Sequence, residues 1–63
     1  MNVDRLIFLH EEISKGHALI ALSLKNEKKG KRVPDSEFTE YVDRINKANK
    51  EMNLMYATVK KAG

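Results

Sequence analysis

Two histidines and one asparagine are the residues of this chain whose types and spacing are most suggestive of chemistry. His10 and His17 lie seven residues apart, and Asn49 lies in the second half of the sequence. Imidazole nitrogens bind metal ions and transfer protons near neutral pH, and a buried amide needs hydrogen-bond partners. Seven residues of helix span about 10 Å, so the two histidines cannot hold one ion within a chain. The sequence therefore predicts no metal site and no cofactor, and it favours a structural polar network of these three residues.

Proton uptake gives the two histidines a second possible role. Burial between helices disfavours a charged imidazole, because the charge loses its contact with water. If His10 and His17 lie between the helices, protonation at about pH 6 is expected to loosen the packing. We therefore expect thermal stability to depend on pH between about pH 5 and pH 8.

The usual signatures of catalysis are missing from the sequence. It contains no cysteine, no glycine-rich phosphate loop and no serine in a strand–turn–helix context. The adjacent acids Glu11 and Glu12 point in different directions on a helix, so they form no catalytic pair. The sequence predicts that this protein is not an enzyme.

A short basic segment is the other candidate site. Its four cations follow Glu27 closely and are Lys28, Lys29, Lys31 and Arg32. Such a cluster suits a solvated turn at the negative end of a helix dipole, and it also suits phosphate contacts to nucleic acid, a nucleotide or an anionic lipid surface. No aromatic residue interleaves the cations, as base stacking requires, and acidic residues follow at once. We favour the solvated turn, and phosphate binding is the alternative function.

The spacing of apolar side chains predicts the elements that position these residues. Two stripes with alternating spacings of three and four residues, here called the heptad stripes, flank the basic segment. They consist of Val3, Leu6, His10, Ile13, His17, Ile20 and Leu24, and of Phe38, Val42, Ile45, Asn49, Met52, Tyr56 and Val59. A repeat of about 3.5 residues keeps one narrow stripe facing a partner helix. The sequence therefore predicts an all-α, antiparallel two-helix hairpin.

The breaks between the stripes set the expected boundaries. A first helix is expected over about 3–26, with Asn2 as its N-cap. Gly30 and Pro34 interrupt the pattern and predict a loop over about 27–34. A second helix is expected over about 35–61. A chain of this length is predicted to form a single domain.

The first helix carries more apolar side chains than one stripe can bury. Phe8, Leu19 and Leu22 lie roughly opposite its heptad stripe, and Gly16 leaves room for another helix to approach closely. A small chain without cysteine gains stability chiefly by oligomerisation. We therefore predict that these four residues contact protein, either a second copy in a four-helix bundle or a different protein.

Composition narrows the setting in which the protein acts. Its net charge of +3 does not demand a polyanionic partner, because charges of both signs are interspersed along the chain. The longest apolar run covers residues 18–22 and is too short to span a bilayer, and the first residues lack the pattern of a secretory signal. These features predict a cytoplasmic regulator, adaptor or inhibitor that acts through helix–helix contact and does not bind membranes.

In length and predicted architecture the chain resembles the RNA-binding plasmid copy-control hairpins. Those proteins bind paired RNA loops along an outer helix face, and no sequence motif is shared. On this chain the corresponding face holds Phe8, Lys15 and Leu22, but Glu11 and Glu12 lie among them and repel phosphate. Nucleic acid is therefore the less favoured partner.

Overall fold

A computed structural model of the chain consists of two long helices joined by a short loop. The structure describes the backbone of residues 1–62 and the side chains of residues 1–59. Helix α1 spans Val3–Lys28 and helix α2 spans Asp35–Ala62. The helices pack against each other as an antiparallel hairpin, so the predicted all-α hairpin is confirmed. Within the described part of the chain, neither helix contains a stretch long and apolar enough to cross a membrane.

Local interactions explain where α1 begins. The side chain of Asn2 accepts a hydrogen bond from the backbone N–H of Arg5 at 3.0 Å, which confirms the predicted N-cap. Asp4 lies in the first turn, where the helix dipole favours an acid. The helix then runs to Lys28, two residues farther than the sequence predicts.

The loop is ordered by the last turn of α1. Gly30 has a φ of 87°, a conformation that residues with a Cβ rarely adopt. Its N–H donates to the carbonyl of Glu27 at 3.0 Å, and the N–H of Lys31 donates to the carbonyl of Asn26 at 2.9 Å, which together form a Schellman motif. The Glu27 carboxylate also accepts the N–H of Val33 at 2.8 Å, and Val33 is buried. The loop is therefore held against the last turn of α1 by these three hydrogen bonds.

At most every second residue of each predicted heptad stripe lies between the helices. The other stripe residues are exposed, and neighbouring residues are buried in their place. The residues that are buried or half-buried between the helices are here called the interhelical core. They are Leu6, Leu9, Ile13, Gly16, Ile20 and Ser23 on α1, and Phe38, Tyr41, Ile45, Ala48, Met52 and Met55 on α2. Every second predicted position is exposed instead: Val3, His10, His17 and Leu24 on α1, and Val42, Asn49 and Tyr56 on α2. The prediction is wrong for these residues, because the buried column in each helix lies one residue earlier in the sequence.

In each helix two columns of residues, each with a spacing of seven, could complete the core. Their chemistry explains why one column is buried and the other, predicted column is exposed. The column that is buried contains small residues, namely Gly16, Ser23 and Ala48. Small side chains let two helices approach closely and pack their neighbours well. The column that is exposed contains polar side chains, namely His10, His17 and Asn49. Burying these groups between α1 and α2 without full hydrogen bonding would cost free energy, which favours the other column for the interhelical core.

Gly16 allows α2 to pack directly on the backbone of α1. A Cβ added at Gly16 would lie 2.5 Å from Cγ1 of Ile45 and 3.8 Å from the carbonyl oxygen of Tyr41. Gly16 is buried by this contact. The sequence assigned Gly16 to a contact with another protein, and this is corrected: its close neighbour is the second helix of its own chain.

We expect Gly16→Ala to destabilise the hairpin although alanine has the higher helix propensity. The gain in propensity is about 1 kcal/mol, whereas displacing Ile45 in a packed core costs about 1–3 kcal/mol. Urea denaturation at a fixed protein concentration should therefore give a lower free energy of unfolding. Lys15→Ala, at an exposed neighbouring site, is the control and should not destabilise. The cost should shrink in an Ile45→Ala background, and a stabilised Gly16→Ala variant would contradict the close contact.

Candidate functional site

The packing of the hairpin gives it two sides of different chemistry. If Leu6 and Phe38 are placed at position a of a heptad, the interhelical core occupies positions a and d. His10 contacts Tyr56, and both are then at position e. Arg5 and Glu51, which also contact each other, are both at position g. The positions e of both helices therefore share one side of the core, and the positions g share the other.

Over residues 3–24 of α1 and residues 39–56 of α2, the side formed by positions e and the adjoining positions b carries no charged residue. We call this surface the uncharged face. It consists of Val3, Ile7, His10, Ser14, His17, Ala21 and Leu24 on α1, and of Thr39, Val42, Asn46, Asn49, Asn53 and Tyr56 on α2, all of which are exposed. Charged residues make up 33% of the chain, so their absence from this whole surface sets it apart from an ordinary solvated face. Large apolar side chains are also open on it, with Leu24 56% and Val42 43% exposed.

The polar network predicted for His10, His17 and Asn49 is wrong. His10 Nε2 lies 2.9 Å from the hydroxyl oxygen of Tyr56, and the two rings pack edge to face with centroids 6.1 Å apart. The same register places His17 opposite Asn49 one heptad along, but neither side chain makes a hydrogen bond among the described residues. Both histidines are exposed, so the expectation that their protonation loosens the interhelical core loses its basis.

The side formed by positions g is held by ion pairs between the helices. The guanidinium of Arg5 makes a bidentate contact with the carboxylate of Glu51, with nitrogen–oxygen distances of 2.5 and 2.8 Å. The same guanidinium lies 5.0 Å from the centre of the Phe8 ring, within the range of a cation–π contact. Farther along, Arg44 Nε lies 3.7 Å from Glu12 Oε2. That oxygen is shielded from solvent and has no hydrogen-bond partner among the residues that the structure describes.

An open groove of about 590 Å³ runs along the g side. It is lined by Arg5, Phe8, Leu9, Glu12, Glu40, Asp43, Arg44, Lys47, Ala48 and Glu51. These lining residues include no serine, cysteine or histidine, and their acids and bases face one another, which suits ionic contact. In the part of the chain that the structure describes, no group of three or more His, Cys, Asp or Glu side chains is arranged to hold a metal ion.

The contact patch predicted from Phe8, Leu19 and Leu22 lies at the outer edge of the g side. Phe8 and Leu22 are 46% and 56% exposed, whereas Leu19 is half-buried beside the core. Lys15 lies between Phe8 and Leu22 in the same column of α1, so the apolar surface is interrupted there. As a contact to another protein this patch stays a prediction.

The basic cluster lies at the end of α1 and in the loop that follows. Its members, all exposed, are Lys28, Lys29, Lys31 and Arg32. No ion pair of theirs occurs among the described side chains. The nearest acid in sequence, Glu27, is engaged with the N–H of Val33. The cluster is therefore a group of open cations on an ordered loop.

The ion pairs were missed from sequence, although a signal for them exists. Arg5 and Glu12 are seven residues apart on α1, and Arg44 and Glu51 are seven residues apart on α2. Antiparallel pairing brings Arg5 to Glu51 and Glu12 to Arg44, so each charge meets its opposite. A heptad pattern of apolar residues does not include these charged positions. Tyr56, the partner of His10, was missed because it was placed in the core.

Comparisons of this chain with protein-family models, with curated proteins and with solved structures give no match. The geometry of the hairpin itself therefore carries the functional argument. It offers two candidate sites, the uncharged face and the basic loop.

The bidentate contact shifts the pKa of both partners. The hydrogen bond from Arg5 lowers the pKa of Glu51 against the smaller opposing effect of burial, and the same bond raises the pKa of Arg5. Because the pKa of Glu51 is lowered on folding, the pair stabilises the hairpin at neutral pH. That stabilisation is lost as the pH falls through the pKa of folded Glu51.

We expect Arg5→Gln to return the pKa of Glu51 toward its ordinary value, because the charge-assisted hydrogen bond is lost. An NMR titration of the Glu51 carboxyl carbon measures this directly. Arg44→Gln removes a similar charge from the same side and should leave the titration of Glu51 nearly unchanged. Equal effects of the two variants would contradict a specific pair between Arg5 and Glu51.

Proposed function

We propose that this protein is a non-enzymatic regulator or adaptor that acts by helix–helix contact through its uncharged face. The observation that carries the proposal is the distribution of charge. Every residue at positions e and b between residues 3 and 24 and between residues 39 and 56 is uncharged and exposed. Charged residues are concentrated on the g side and on the outer surface of the hairpin. A surface of this kind is suited to a protein partner.

The pattern of each helix favours other helices as the partner. A helix with one neighbour needs only positions a and d free of charge, whereas a helix in a bundle extends its apolar stripe to position e or g. In the hairpin each helix has one neighbour and leaves position e open. The open positions e of the two helices lie on the same side of the hairpin. A second pair of helices packed on that side would therefore cover the positions e of both helices. The resulting assembly is a four-helix bundle.

A second copy of the chain is the partner that we propose. Among the described residues Leu9 is the only large side chain that is fully buried, so the hairpin has a small core for independent folding. The hairpin measures 50 × 16 × 14 Å, and its long face matches the about 800 Å² per partner of a standard interface. A face without charge also meets no like-charge repulsion from its own copy. The proposed assembly is therefore a homodimer that forms an antiparallel four-helix bundle.

Two leucines of α1 distinguish the uncharged face from the patch around Phe8. Leu24 and Leu22 are each 56% exposed, but Leu24 lies on the uncharged face and Leu22 lies on the opposite side. Leu24→Glu would bury an unpaired charge between the copies. We expect it to raise the dissociation constant of the dimer by about tenfold or more, measured by sedimentation equilibrium. Leu22→Glu is the matched control and should leave the dissociation constant unchanged.

The alternative outcomes of this experiment are distinct. Circular dichroism first establishes that both variants keep the helix content of the parent. A parent that stays monomeric over the whole concentration range would contradict the homodimer. Dissociation caused by Leu22→Glu alone would move the contact to Phe8, Leu19 and Leu22.

Phosphate binding by the basic loop is the second candidate function. It is favoured by the exposure of all four cations of the loop and by the engagement of Glu27 with the backbone of Val33. Such cations attract nucleic acid by releasing its condensed counterions. Binding of this kind weakens steeply as the salt concentration rises.

If the loop binds nucleic acid, removing its lysines should weaken binding more than removing lysines elsewhere. The loop variant replaces Lys28, Lys29 and Lys31 with Gln. The control variant replaces the exposed residues Lys15, Lys47 and Lys50 with Gln, which removes the same charge. We expect the loop variant to lose about tenfold more affinity for a short RNA duplex at about 50 mM salt, and the parent to release the duplex by about 200 mM. Equal losses would mean that net charge alone attracts the probe.

A further inference from the structure

We propose that pairing of the uncharged faces is controlled by pH through His10 and His17. The inference rests on the homodimer proposed above and adds a means of opening it. It is carried by the placement of the two imidazoles, which lie at successive positions e on the uncharged face. Both are exposed in the single hairpin, and both would be covered when two such faces meet.

Neither histidine has an acidic neighbour on its own helix that would compensate a positive charge. The residues three and four positions from either ring are Leu6, Ile7, Ile13, Ser14, Ile20 and Ala21. These are the positions from which a helical side chain reaches its neighbour. Glu11 follows His10 in sequence but lies at position f, on the outer surface of α1.

The second helix supplies no counter-charge either. The titratable group of α2 that faces His10 is the hydroxyl of Tyr56, at 2.9 Å from Nε2. The residue of α2 opposite His17 in the same register is Asn49, which does not titrate. Over residues 3–24 and 39–56 a second copy presents the same face, so the titratable groups that it adds there are again two imidazoles and one tyrosine hydroxyl. The four imidazoles of a dimer would therefore share a surface without a carboxylate.

The consequence of proton uptake differs between the dimer and the separated hairpins. In a separated hairpin both rings are exposed to water, which solvates the positive charge of a protonated imidazole. Between paired faces the same protons would place positive charges where water is excluded and no anion is near. The separated hairpins therefore bind more protons than the dimer. By linkage, lowering the pH favours the separated hairpins over the dimer.

The two histidines are not equivalent in this scheme. A protonated His10 still donates a hydrogen bond to the oxygen of Tyr56, so part of its interaction survives protonation. His17 has no hydrogen-bond partner among the described residues. Charging His17 in the interface is therefore less compensated than charging His10. His17→Gln should remove more of the pH dependence than His10→Gln.

Sedimentation equilibrium of the full chain at about pH 7.5 and at about pH 5.5, at equal ionic strength, tests the proposal. By linkage, each imidazole that takes up a proton only in the separated hairpin raises the dissociation constant by up to about tenfold per pH unit. Since a dimer contains four, we expect an increase of at least about 100-fold for the parent. The variant with His10→Gln and His17→Gln should dimerise with about the same dissociation constant at both pH values.

The outcomes separate this inference from the proposed function. A parent that is monomeric at pH 7.5 would overturn the homodimer itself. A parent dimer with one dissociation constant at both pH values would overturn the pH control and leave the homodimer standing. A glutamine variant that retains the pH dependence of the parent would assign the effect to other groups and also overturn the proposal.

A second measurement covers the case in which the glutamine variant does not dimerise at all. Proton uptake by the two imidazoles is followed by NMR on the parent, in one sample dilute enough to be monomeric and in one concentrated enough to be dimeric. We expect uptake at a lower pH in the concentrated sample. Uptake that does not depend on protein concentration would overturn the proposal.

Discussion

The close contact of Ile45 with the backbone of α1 at Gly16 determines which residues of the hairpin are inside. Without a side chain at position 16, α2 lies where a Cβ would meet Ile45 at 2.5 Å. That approach buries the column that contains Gly16 and turns the column that contains His17 toward solvent. The weak helix propensity of glycine, about 1 kcal/mol relative to alanine, is thus offset by packing between the helices.

The ion pairs on the g side contribute specificity more than stability. Exposed pairs contribute at most about 1 kcal/mol each. Sliding the helices by one heptad, however, would place Arg5 opposite Arg44 in one direction and Glu12 opposite Glu51 in the other. Each shift replaces attraction with like-charge repulsion, which disfavours the wrong register. The uncharged face offers no such discrimination by charge, so among the charged side chains it is those of the g side that disfavour a shifted register.

The order of elements could be predicted from the sequence, and the orientation of the helices about their own axes could not. Asn2 and Gly30 mark the ends of α1 through local interactions, which a sequence reveals directly. Periodicity located one buried column, to which Ile13 and Ile45 belong. Periodicity alone does not show whether position d or position e joins position a in the core, because both positions repeat every seven residues. The sequence pattern favours the larger side chains, whereas packing favours small ones. Position e, which is one column of the uncharged face, was therefore wrongly predicted to belong to the core.

That confusion has a physical origin in the helices themselves. The predicted stripe consists of positions a and e, whereas the observed core consists of positions a and d. Each helix satisfies both patterns, because three adjacent columns are free of charge apart from the exposed ends of the helices. One neighbouring helix buries two columns, as Leu9 and Ala48 illustrate on the observed side. The third column, position e, is as free of charge as a core position, but neither helix of the hairpin covers it. For this reason we regard the hairpin as one half of a bundle.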